Sequence, residues 1–359
     1  MSEMNKVQHG RPAWLLLQDG TILAGENFGA AGTVTGEVVF STAMTGYQEA
    51  LTDPCYYGQI YLQTFPMMGN YGVNHEDFSG SHCFLRGCIV REWCDAPSNF
   101  RCEGDIDTFL REQNVVGLWG IDTRHLTRIL REKGTMTGTI TTDEAAIPAL
   151  QQALSGWKLE NAVAAVTESQ PATIEGNGPH IGIMNLGAPS FAAFELQRRG
   201  CKVSFHSVSD GAEAYAGCDG VVLSEGPGDP AEEAAVLDTI RALAAAGKPL
   251  FGIGLGHQLL ALSQGASVCR LHHGHRGASQ PVIDNRTKKT YPTSQNHGYE
   301  VVDLPAEAGE ISHQNVNDGS CEGIRYSHIK ALSVQFRPVG PGEAQDTGYL
   351  YDEFLAMVR

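Results

Sequence analysis

The chain is poor in positive charge. Against 41 Asp and Glu stand only 25 Lys and Arg, a formal net charge of −16 over 359 residues. Sequence-independent nucleic-acid binding needs a basic face, so that class is excluded. An acidic balance fits a soluble protein, or a subunit that meets a partner's basic patch. No apolar run approaches the roughly 20 residues that span a bilayer. Trp14-Leu15-Leu16-Leu17 is too short for a secretory leader and runs into the turn Asp19-Gly20, so a cytoplasmic protein is expected. The nine cysteines include no CxxC pair, which excludes a zinc ribbon and a disulfide framework and leaves reduced thiols. Internal repeats and low-complexity tracts are also lacking. With 42% hydrophobic and 18% charged residues, the composition is that of a globular protein, and the length suggests two domains.

What is present centres on Pro249-Leu250-Phe251-Gly252-Ile253-Gly254-Leu255-Gly256-His257-Gln258-Leu259-Leu260. Leu250 to Ile253 suits a parallel strand covered on both faces. The glycines allow a sharp turn, and a helix follows with free N–H groups at its start. This is the pattern of a nucleophile elbow, in which a strained residue lifts its side chain above a sheet. Here the apex residue is Gly254, which has no side chain.

Residues 13 to 40 read as β-rich, with Asp19-Gly20 as a hairpin turn. Asp122 to Gly134 reads as a helix with an apolar stripe of Leu126, Ile129 and Leu130 and a solvated basic face. A polar stretch from Glu168 to Pro179 reads as a linker. From residue 180 strands alternate with helices, which means a doubly wound α/β sheet. In that region Asp229 is an expected N-cap, Pro230 the first helical residue and Glu232 a reciprocal capping partner. The domains are therefore placed at 1–150 and 180–359, joined by a connecting helix and linker at 151–179. Ligands on such sheets sit at the carboxyl ends of the strands, where the turns at Gly226 to Asp229 and at Gly254 fall.

Three other patterns carry less. Gly252-Ile253-Gly254-Leu255-Gly256 fails as a dinucleotide fingerprint because the third glycine would fall on His257. His272-His273-Gly274-His275 lacks a carboxylate or cysteine to complete a metal site and reads as a surface loop. Gln295-Asn296-His297-Gly298-Tyr299 reads as a polar turn.

Long collinear motifs then carry a resemblance. They include Gly36-Glu37-Val38-Val39-Phe40, Met44-Thr45-Gly46-Tyr47-Gln48-Glu49, Leu51-Thr52-Asp53-Pro54, Gly69-Asn70-Tyr71-Gly72, Ser98-Asn99-Phe100-Arg101 and Ile121-Asp122-Thr123-Arg124. The second half adds Leu223-Ser224-Glu225-Gly226-Pro227-Gly228-Asp229-Pro230, the elbow, Gly274-His275-Arg276-Gly277, Ser294-Gln295-Asn296-His297-Gly298 and Ser333-Val334-Gln335-Phe336. Along nearly its whole length the chain resembles the small, glutamine-amidotransferase subunit of carbamoyl phosphate synthase. The resemblance implies an N-terminal mixed β/α domain that docks on a large subunit, and a C-terminal doubly wound class I glutamine amidotransferase domain. It implies no cofactor in this chain. ATP, bicarbonate and a metal ion would belong to the large subunit, whose product serves arginine or pyrimidine synthesis. Glutamine or ammonia would be the small-molecule partner.

The departures are as informative as the matches. The family's elbow reads GxCxG, with a cysteine that attacks the glutamine amide; here that position is Gly254. The family's histidine and glutamate lie in a segment resembling HPE; here it reads Arg337-Pro338-Val339. A serine that holds glutamine corresponds to Ala43. Binding positions that persist are Gly226, Gly228, Leu255, Gln258, Asn296 and Gly298, with Tyr299 as an aromatic neighbour. Amide hydrolysis by this route needs a thiolate, a base and a group that orients the base. All are absent together, so a glutaminase-silent subunit is expected, and some ammonia-dependent members of the family lack the cysteine too. A non-catalytic module sensing glutamine or another amide is the alternative. An active enzyme with a relocated nucleophile is a third reading, although Cys269, the nearest cysteine downstream, reads as a core thiol.

Overall fold

The computed structural model describes residues 10–167, 173–339 and 346–358. The chain divides into two compact units. One comprises the described residues of Met1–Thr52 and Gly58–Leu159, the other those of Asp53–Tyr57 and Glu160–Arg359.

The first unit is built on a closed seven-stranded barrel. Its strands are Pro12–Leu17, Ile22–Gly29, Thr33–Ser41, Gln59–Gln63, Gly87–Ile89, Val116–Trp119 and Met136–Thr141. The first two form the expected hairpin, with Leu15 opposite Leu23. Period-two alternation sends Ala13, Leu15, Leu17, Val38, Ile60, Leu62, Leu118 and Ile140 into a common core. Each such aliphatic side chain contributes about 1.5–3 kcal/mol by burial. The helix Thr123–Lys133 starts where Asp122 accepts a hydrogen bond from the His125 N–H and ends at Gly134, whose φ is 89°. Leu126 and Leu130 face inward, while Arg124, Arg128, Arg131 and Lys133 stay exposed, as a solvated basic face requires.

The second unit carries a ten-stranded sheet. Its centre is parallel: Lys202–Ser207, His180–Asn185, Gly220–Leu223, Leu250–Ile253 and Ala331–Val334 lie side by side in that order. These strands are short apolar runs because helices cover both faces. On one face Leu223, Leu250, Leu259, Leu260, Ile240 and Leu243 pack together; on the other, Ile183, Val222, Phe251, Ile253, Phe336 and Phe354 do. Beyond Ala331–Val334 the sheet turns antiparallel through Cys321–Tyr326, Thr290–Val302, Ser267–Asp284 and Gly309–Asn315. No helix among the described residues is long and apolar enough to cross a membrane.

Four local expectations change. Asp229 does cap, but it caps the 3₁₀ turn Pro230–Glu233 through the Ala231 N–H, and the α-helix begins later, at Val236–Ala245. Within the linker stretch, Thr173–Ile174 pairs with Lys202–Ser207 as an edge strand, while residues 168–172 lie outside the described residues. His272 to His275 is part of the strand Ser267–Asp284, not a surface loop, and Gln295 to Tyr299 is part of the strand Thr290–Val302, not a turn. Cross-strand pairing of the two segments overrides their turn-rich composition.

Candidate functional site at the elbow

The strand Leu250–Ile253 ends at Gly254, and the helix Leu255–Ser263 begins immediately after it. Gly254 has φ 57° and ψ −115°, a conformation that L-residues rarely adopt. Its N–H donates to the Val334 carbonyl at 3.0 Å, and its own carbonyl accepts from the Gln258 N–H at 3.2 Å. The turn is therefore fixed by backbone bonds and keeps the elbow form without a nucleophile. A Cβ placed on Gly254 would lie 3.2 Å from Cγ of Glu225. His257, one turn along, points away from chemistry. It is fully buried, its Nδ1 lies 2.7 Å from Ser333 Oγ, and burial, aided by His313, pushes its pKa down to about 3.

Beside the elbow sits Arg337. Its Nε donates to Glu225 Oε1 and Oε2 at 3.0 and 3.1 Å, and its Nη2 donates to Glu225 Oε2 at 2.7 Å. The same Nη2 reaches Asp53 Oδ2 at 3.1 Å. The guanidinium carbon stands 3.9 Å from the centroid of the Phe191 ring. The three ionic side chains are 9%, 12% and 6% exposed for Arg337, Glu225 and Asp53. A buried guanidinium is always protonated and has no acceptor, so it cannot take a proton from a thiol. Val339 is buried and apolar, so it offers no carboxylate to orient a base. The position next to the elbow has become a salt-bridge node.

Glu225 and Asp53 escaped the residue-by-residue reading. A signal existed: a cation at a position that becomes buried demands a carboxylate partner. Glu225 sits in the turn that faces the elbow, and Asp53 caps the short helix Pro54–Tyr56 through the Cys55 N–H.

Cys55, Cys83, Cys269 and Cys321 offer no activated thiol in place of Gly254. Cys55 lies nearest the node, and burial together with Asp53 and Glu225 pushes its thiol well up despite Arg337. Burial pushes Cys83 and Cys321 up to about 12. Cys269 is exposed, which corrects its reading as a core thiol: it lies on the solvated side of its strand, 3.8 Å from Glu300 Oε1. Partial burial and Glu300 raise that thiol as well.

The remaining expected positions divide. Gly226 abuts Leu255: a Cβ on Gly226 would lie 3.2 Å from Leu255 Cδ2. Gln258 is buried, and its amide donates to the Tyr299 carbonyl at 3.2 Å and to Gln335 Oε1 at 3.0 Å, so it is committed to internal bonds. Asn296 differs, because its Nδ2 is buried without a hydrogen-bond partner. Gly298 has only Arg276 Nη2 near its missing Cβ, at 3.6 Å. Gly228 has φ 98° and faces Ala162. Ala43 belongs to the first unit, where its carbonyl accepts from Gln63 Nε2 at 2.8 Å. One further reading is corrected here. His275 is buried, and Glu322 supplies the carboxylate beside it that the histidine-rich segment alone lacks.

Comparison with known proteins completes the description. Residues 15–140 match the family model for the carbamoyl-phosphate synthase small chain, CPSase domain, and residues 192–357 match class-I glutamine amidotransferase. The chain is similar to the carbamoyl phosphate synthase small chain of Clostridium perfringens, at 42% identity over 96% of this chain and 98% of that one. It is similar to the small chain of Bacillus caldolyticus at 42% identity over 96% of each. The chain belongs to the carbamoyl phosphate synthase small-chain family.

Proposed function

We propose that this member of the carbamoyl phosphate synthase small-chain family is glutaminase-silent. In this reading it supports ammonia-dependent carbamoyl phosphate synthesis by a large subunit, which binds ATP, bicarbonate and a metal ion. The observation that carries the reading is that residue 337 is an arginine bound to Glu225, the side chain that a Cβ on Gly254 would meet. Nucleophile, base and orienting acid are replaced by a hydrogen atom, a guanidinium and an isopropyl group. Backbone donors near Leu255 could still stabilise an oxyanion, yet donors alone form no acyl-enzyme. The fold survives because the turn's bonds are all main-chain. The test is ammonia release from glutamine by the protein alone and with its large subunit, next to ammonia-supported carbamoyl phosphate synthesis. The expected result is synthesis from ammonia and none from glutamine. Glutamine-supported synthesis, blocked by a glutamine-directed electrophile, would overturn the reading.

A second reading rests on Asn296 and Gly298. An unpartnered buried amide nitrogen next to an unfilled glycine suits recognition of an amide or carboxylate oxygen. The chain would then sense glutamine without hydrolysing it. Calorimetry separates the two: saturable heat on adding glutamine, lost in Asn296→Ala, supports sensing, and a flat titration removes it.

A further inference from the structure

Away from the elbow, His275 and His297 face each other across the strands Ser267–Asp284 and Thr290–Val302, where they are register partners. Their rings stand edge to face with centroids 4.9 Å apart. Glu322, from the neighbouring strand Cys321–Tyr326, is fully buried beside them. One donor atom from each of the three lies within 4.8 Å of the others, and among the described residues no other group of histidine, cysteine and carboxylate side chains converges so closely.

The hydrogen bonds around the trio fix which ring atoms carry protons. A carbonyl oxygen only accepts, so His297 Nδ1, 2.8 Å from the Tyr299 carbonyl, is the N–H. In a neutral ring that leaves a lone pair on Nε2, which faces Gln295 Oε1 at 3.1 Å. Thr293 holds the Gln295 amide in this orientation. Its NH₂ donates to Thr293 Oγ1 at 3.0 Å, and that hydroxyl's own proton goes to the Gln280 carbonyl at 2.8 Å. In this arrangement two lone pairs face each other, and a flipped amide would relieve them only by drawing the Thr293 proton away from the Gln280 carbonyl. Glu322 adds another unmet need: Oε1 accepts from Asn315 Nδ2 at 3.1 Å, while Oε2 is buried without a partner. His275 is anchored from outside, with Nε2 2.8 Å from Asp318 Oδ2, which aims Nδ1 at Glu322 Oε1, 3.3 Å away.

We propose that His275, His297 and Glu322 bind one divalent transition-metal ion of the zinc class, with Gln295 Oε1 as a fourth ligand. Two imidazoles and a carboxylate are the donor set such borderline ions take. Asp318 and the Tyr299 carbonyl act as the outer acceptors that orient ligating histidines in known metal sites. The ion would meet both unmet needs, the lone pair on His297 and the free oxygen of Glu322. Because its ligands come from three adjacent strands and are buried, the site is a structural clamp. His297 lies between Asn296 and Gly298, so the clamp fixes the strand that carries them. This inference does not depend on the glutaminase-silent reading.

The test is a cobalt titration of the full chain after EDTA treatment and dialysis, followed by ligand-field absorption. The expected result is one cobalt per chain, displaced by one equivalent of zinc, with a higher melting temperature for the loaded protein. His297→Gln and Glu322→Gln should abolish the absorption, whereas the paired change His272→Ala with His273→Ala should leave it intact. Wild-type protein without stoichiometric absorption overturns the proposal, whatever the variants do. Absorption that survives the first two changes, or is lost with the paired change, overturns it as well.

Discussion

Replacing Gly254 by cysteine places a thiol at the elbow and is predicted to leave the protein inactive toward glutamine. The backbone at Gly254, φ 57° and ψ −115°, costs a residue with a Cβ about 1–3 kcal/mol. The new Cβ also sits 3.2 Å from Glu225 Cγ. Glu225 has little freedom to retreat, because Arg337 grips both its carboxylate oxygens. For a unit of this size each kcal/mol lowers the melting temperature by about 2–4 °C, so a fall of about 2–12 °C is expected. Chemically the thiol would stand against Glu225, whose carboxylate is bound to the Arg337 guanidinium. That cation favours a thiolate, but it can neither accept the thiol proton nor pass one to departing ammonia. Members of such a unit act together, and losing one costs nearly as much as losing all. Ammonia release by Gly254→Cys should therefore match a protein-free blank. Adding Arg337→His and Val339→Glu should raise it by about 10²-fold or more, the usual contribution of a positioned general base. Turnover by the single variant would refute the argument, since it would reveal a base other than residue 337. An unchanged melting temperature would refute the strain estimate separately.

Two further perturbations test the electrostatics. Arg337→Met leaves Glu225 and Asp53 buried without their cation, and should cost about 3–5 kcal/mol in urea denaturation; adding Glu225→Gln should recover part of that loss. Burial, with His313 nearby, holds the pKa of His257 at about 3, and burial, with Arg325 and Arg286 nearby, holds His313 at about 4. Both fold as neutral rings and bind protons in the unfolded chain below a pKa of about 6.5. Stability is then full above that value and falls with pH by up to about 1.4 kcal/mol per unit for each histidine. The loss from His313 ends near pH 4 and that from His257 near pH 3. Urea midpoints from pH 7 to 4 check the slope, and His257→Asn should flatten it.

The parallel strands, the elbow and the caps were legible in the sequence because each rests on neighbours in the chain. Leu250–Ile253 is a buried run that any single window reveals, and Asp122 needs only His125 to cap its helix. The antiparallel half was not legible. Gly274, Gly277, Asn296 and Gly298 are turn residues by composition, and only pairing between two distant segments makes them strand. The same limit hid the node beside the elbow. Arg337 meets Glu225 at a separation of 112 positions and Asp53 at 284, beyond the reach of any spacing rule. Cys269 went wrong for a smaller reason. Its strand alternates, and one residue of register decides whether a side chain faces the core or solvent.

The retained positions divide by the kind of force that holds them. A Cβ on Gly226 would stand 1.9 Å from the Leu186 carbonyl oxygen, and one on Gly256 would stand 2.3 Å from that of Leu223. No side chain fits either place, so packing alone keeps these glycines, whether or not glutamine is ever bound. Gln258 is likewise fixed by Tyr299 and Gln335. Asn296 and Gly298 are different, because a satisfied fold requires neither an unpartnered amide nitrogen nor an unfilled glycine at those places. The positions that packing does not compel have split. At the elbow, Gly254 carries no side chain and Arg337 is bound to Glu225. On the strand Thr290–Val302, Asn296 has a buried amide nitrogen without a partner and Gly298 has an open Cβ position. The proposed loss of hydrolysis and the proposed retention of recognition are separable by experiment. The ammonia assay addresses the first and calorimetry with glutamine the second.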